Sequence, residues 1–143
     1  MKAWRMITWP VALLLNAVAV GASVAACGDS LPATGRQVLD RADVQLAYAP
    51  QGGSVPLGRH FALDVEVCAS AGSTPPQLMR VDADMPAHRH GMNYRSTLRT
   101  LSPGRYLAEG LMWHMPGRWR LIFELAAPPG QPVQRITHEL NLE

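Results

Sequence analysis

Side chains that bind soft metal ions are concentrated in two segments of the chain. The first is Met85-Pro86-Ala87-His88-Arg89-His90-Gly91-Met92 and the second is Met112-Trp113-His114-Met115-Pro116-Gly117. Together they hold three of the five histidines and four of the seven methionines. Imidazole nitrogen suits zinc and copper alike, whereas thioether sulfur selects Cu(I). Three imidazoles with one thioether would serve both copper oxidation states, and two methionines with one or two histidines would lean to Cu(I). Zinc would be content with His88, His90 and His114 alone. Copper is therefore the expected cofactor and zinc the second choice. Met92 and Met115 lead the thioether candidates, with Met85 and Met112 behind them.

A packing interpretation competes with ligation for several of these residues. Methionine fills irregular core gaps, which would account for Met85 and Met115 without any metal. His60 and His138 stand outside the cluster. The alternation of the last strand sets His138 on its apolar face, as a hydrogen-bonded core residue. Arg89, Asn93 and Arg95 lie in or beside the first segment and could hold a small anion. Bracing of the loop is the simpler role, with Asp82 and Asp84 as partners for the arginines.

Other chemistry is poorly represented. No serine sits in a Gly-x-Ser-x-Gly elbow, no phosphate loop or dinucleotide fingerprint occurs, and Asp82 and Asp84 read as a solvated strand face. An enzyme is not expected. The formal net charge of +2 and the scattered arginines give no basis for nucleic-acid binding.

The elements that must position these residues begin after an export signal. Lys2 and Arg5 precede an apolar run from Ile7 to Val24 that ends in small residues, the layout of a signal peptide over residues 1–26. The run is also close to the ~18 residues a membrane anchor needs, so cleavage and retention both stand. Val24-Ala25-Ala26-Cys27 resembles a lipobox, in which Cys27 would be acylated. The rival pairs Cys27 with Cys68, the only other cysteine, in an oxidising compartment. Either way the domain is exported, periplasmic or membrane-anchored facing the periplasm.

Residues 27–42 carry Gly, Pro, Ser and Thr without a sustained apolar period and read as a tether, with some regular structure over Gln37 to Ala42. From residue 43 to 143 the period is two. Strands are expected over Asp43 to Tyr48, His60 to Cys68, Gln77 to Met85, Tyr94 to Leu101, Arg105 to His114, Arg118 to Leu125 and Val133 to Leu142. Met79, Val81, Ala83 and Met85 should share one face. His88 and His90, one residue apart, would point the same way in extended backbone. About seven short strands and no amphipathic helix after the signal helix indicate an all-β antiparallel sandwich.

The first segment, followed by Gly104-Arg105-Tyr106 and then Met115-Pro116-Gly117-Arg118-Trp119 with an apolar strand, resembles the YtkA-like and FixH-like exported domains. The resemblance spans Val44 to Leu142. It implies an immunoglobulin-like sandwich and, from the FixH-like members, involvement in supplying copper to respiratory oxidases. The His and Met pattern is also similar in kind to periplasmic copper chaperones, although their full spacing is not reproduced. The expected function is copper binding or delivery to a periplasmic or membrane redox protein. The alternative is a metal-free module docking on a membrane or redox partner through Trp113, Tyr94 and the arginines.

Overall fold

The computed structural model describes residues 25–41, 43–70 and 73–143. The expected signal helix falls outside the described residues. Within them the chain forms β1 (Gln37–Arg41), β2 (Val44–Pro50), β3 (His60–Ala69), β4 (Leu78–Met85), β5 (His90–Gly91), β6 (Thr97–Ser102), β7 (Arg105–Met112), β8 (Gly117–Leu125) and β9 (Gln134–Leu142). One sheet has the order β1-β2-β3-β7-β6 and the other β5-β4-β8-β9, with antiparallel neighbours in both. The antiparallel sandwich predicted by the alternation is therefore present, with nine strands rather than about seven. β1 and the two-residue β5 account for the difference, each too short or too polar to show a period.

Alternation fills the space between the sheets. Phe61, Leu63, Val65 and Val67 of β3 face Trp119, Leu121, Phe123 and Leu125 of β8, and every one is buried. Each large aromatic side chain in such a core removes ~150–250 Å² from water, or about 4–6 kcal/mol at ~25 cal/mol per Å². Trp113 and Trp119 are fully buried, with ring centroids 5.0 Å apart. They form the heaviest part of the core.

Three local expectations need correction. β4 carries a bulge between Leu78 and Arg80, so Leu78 turns inward and Met79, expected on the core face, is 56% exposed. The extra residue of a bulge shifts the alternation by one. β7 stops at Met112 rather than His114, since Trp113 leaves the ladder for a parallel bridge to Leu57. The stretch read as a tether is packed down: Leu31 is buried over Ala47 and Ala49, β1 pairs with β2, and Cys27 is joined to Cys68 by a disulfide across 41 residues of sequence. The small side chains of Ala47 and Ala49 make room for this arm, which is why both faces of β2 are buried.

Candidate metal centre

β4 and β5 form a hairpin in which Met85 pairs with His90 and Asp84 with Gly91. The turn between them is closed by the amide of His88 donating to the Met85 carbonyl at 3.0 Å. Arg89 takes φ of 54°, the left-handed conformation that reverses the chain. His88 consequently sits on an exposed turn and His90 on a strand, so the extended geometry expected for the pair is not realised. Their ring centroids are nonetheless 5.7 Å apart.

His114 arrives from the other sheet, on the crossover from β7 to β8. Its Nε2 lies 3.2 Å from His90 Nε2. Trp119 stands edge-on to both rings, with centroids 5.1 Å from His114 and 6.0 Å from His90. The Trp119 indole N–H donates to the Met115 carbonyl at 3.0 Å, which pins the Met115-Pro116-Gly117 turn. Gly117 has φ of 123°, and a Cβ there would lie 2.9 Å from Met85 Cε. The backbone conformation thus favours glycine at that position, and a larger residue would also have to displace the flexible end of Met85.

The spacing of the two nitrogens fits a shared ion. With metal–nitrogen bonds of ~2.0–2.1 Å, a separation of 3.2 Å subtends about 100° at the metal, near the tetrahedral angle. Without an ion the same atoms share one N–H···N hydrogen bond. No group of three or more His, Cys, Asp or Glu side chains is arranged to hold a metal among the described residues. The arrangement is a pair with a third imidazole beside it on a turn. One supporting feature is missing, since His114 Nδ1 is buried with no hydrogen-bond partner, where ligating histidines usually donate that N–H. Trp119 orients the ring by contact instead.

The methionines divide by position. Met85 is buried behind His90, whereas Met92 and Met115 are half-buried at the edge of the core. Met112 ends β7 opposite His60, in the other sheet from His90. The two remaining histidines stand apart from the pair. His60 packs edge-on against Tyr94 at 4.8 Å. His138 Nδ1 and the Tyr48 hydroxyl share a 2.7 Å hydrogen bond, as its place on the apolar face of β9 predicts. Burial lowers the His138 pKa and raises that of Tyr48.

The charged residues pair differently from expectation. Asp84 takes Arg120 through two hydrogen bonds of 2.9 and 2.6 Å, and Asp82 takes Arg80. Arg89 and Arg95 are left without carboxylates because the cross-strand register of β4 with β8 sets Asp84 directly opposite Arg120. Trp113, expected at a docking surface, is fully buried against Phe61 with centroids 5.2 Å apart. Trp119 was the functional residue least visible in the sequence. Its place in the Arg118 to Leu125 strand and in the Met115-Pro116-Gly117-Arg118-Trp119 run marked it as a strand residue, with nothing to mark it as a neighbour of the histidines.

No family model matches the chain, and no curated protein matches it. Among solved structures it is similar to a DUF4426 family protein from Pseudomonas aeruginosa PAO1, with 14% identity, a TM-score of 0.50, and coverage of 78% of this chain and 97% of that one. At that identity the likeness concerns the fold alone.

Proposed function

We propose that this chain is an exported copper-binding or copper-delivery domain whose site is centred on His90 and His114. The carrying observation is the 3.2 Å approach of their Nε2 atoms, made by a residue of β5 and one on the crossover between the sheets. His88 on its exposed turn is the third imidazole, able to swing onto or off an ion. Met92 and Met115, half-buried and close in sequence to His90 and His114, are the thioether candidates. An imidazole pair completed by thioethers would favour Cu(I). Copper bound there would be held by an incomplete protein cage, which leaves room for an acceptor's ligands to enter. Export is supported by the apolar N-terminal run and by the Cys27–Cys68 disulfide, a bond that persists outside the cytoplasm. A sulfur engaged in that bond is not available for acylation. The chain resembles FixH-like domains in its His and Met segments, in keeping with this role.

Anaerobic Cu(I) titration of the mature domain against a chromophoric chelator tests the proposal. One ion should bind, with His90→Ala or His114→Ala each weakening it by at least about tenfold and His88→Ala by less. Met92→Leu with Met115→Leu should weaken Cu(I) and spare Cu(II). Wild-type affinity in the His90→Ala/His114→Ala double variant would sink the copper assignment.

A further inference from the structure

The histidine end of the sandwich also carries an unbalanced charge. Among the described arginines, Arg59, Arg89 and Arg95 alone make neither an ion pair nor a side-chain hydrogen bond. Every other one is engaged by a carboxylate, a carbonyl or a hydroxyl. All three are exposed, and all three lie in the loops 51–59 and 86–96, which meet the 113–116 loop at this end. Those loops contain no Asp or Glu. Of the strand carboxylates beside these loops, Asp84 and Glu109 are committed to Arg120 and Arg99, and the one left without an arginine, Asp64, accepts from Gln51 at 3.4 Å, a single negative charge against three positive ones. At the far end, the loops 73–77 and 126–133 contain no Lys, Arg or His. Among the described residues the unpaired arginines are thus gathered at the end that holds the imidazole pair, although the formal net charge of the chain is only +2.

Tyr94 and Leu57, 45% and 40% exposed, stand among these arginines. Tyrosine and arginine are the residue types that anchor protein interfaces. Two such side chains offer too little apolar surface to insert into a bilayer, where binding scales with buried apolar area. We infer that the face formed by Arg59, Arg89, Arg95 and Tyr94 docks on an acidic surface of a partner protein, so that the histidine pair is presented to that partner. Charge complementarity of this kind sets encounter rate and orientation. The face exists in the metal-free protein and does not depend on copper.

Metal-free protein, titrated with an oligoglutamate peptide at neutral pH and low salt and followed by backbone amide NMR, provides the test. Shifts should be confined to loops 51–59, 86–96 and 113–116 and should fade with added salt. Arg59→Gln/Arg89→Gln/Arg95→Gln should weaken the peptide about tenfold or more. Arg41→Gln/Arg80→Gln/Arg135→Gln, which removes equal charge elsewhere, should not. Near-ultraviolet circular dichroism checks that each variant is folded. Absence of peptide binding, or equal weakening in the two triple variants, overturns the inference. So does tighter binding to phosphatidylcholine–phosphatidylglycerol vesicles than to the peptide, because the face would then serve a lipid surface. Either result leaves the Cu(I) titration unaffected, and failure of that titration leaves this face intact.

Discussion

At the scale of single residues, the positions that shape the histidine site are glycines and aromatics as much as ligands. Gly117→Ala should destabilise the protein by about 1–3 kcal/mol in urea unfolding, because a residue with a Cβ is strained at this positive φ, with displacement of the flexible Met85 methyl a smaller cost. His138 gives a pH prediction of definite sign. Its folded pKa lies below the ordinary 6.5 because burial disfavours the charged ring, so the unfolded chain binds more protons between the two values. Stability is therefore full above pH 6.5 and declines as pH falls toward the folded pKa. Melting temperature should drop across this window, and His138→Gln should flatten the drop. The residue types of the site were legible from composition and spacing. Trp113 was not: an aromatic between Met112 and His114 looks like a rim residue until the chain is seen to cross between sheets there.

At the scale of elements, the sequence marked the strands that alternate strictly and missed those that do not. β3 and β8 bury every second side chain and could be placed from period two alone. β5 has two residues and exists only because the Met85 to His90 turn folds back, and β1 is held by pairing and by the arm beneath it. The bulge in β4 is invisible to a period count, since the extra residue has no sequence mark of its own. The arm itself leads to an expected outcome. Replacing Cys27 and Cys68 by serine should cost about 2–4 kcal/mol, the usual worth of a bond closing a loop of this length. Amides of β1 should then exchange faster with solvent than those of β3. Unchanged protection in β1 would mean that Leu31 and the β1–β2 pairing suffice to hold the arm.

At the scale of the whole molecule, the disulfide and the histidine pair occupy opposite ends of the sandwich. His60 opens β3 and Cys68 nearly closes it, a rise of roughly 26 Å at ~3.3 Å per residue. Replacing both cysteines by serine, which removes the bond without freeing thiols that would themselves take Cu(I), should therefore leave Cu(I) affinity within about twofold while lowering the melting temperature. A further consequence follows from where the tryptophans fall. The chain has four, and Trp4 and Trp9 lie before the first described residue. In a protein prepared from residue 25 onward, all indole emission would come from Trp113 and Trp119, which touch each other, with Trp119 also touching both imidazoles. Copper on His90 and His114 would quench that light almost completely, so an unlabelled protein would signal its own loading and unloading in real time.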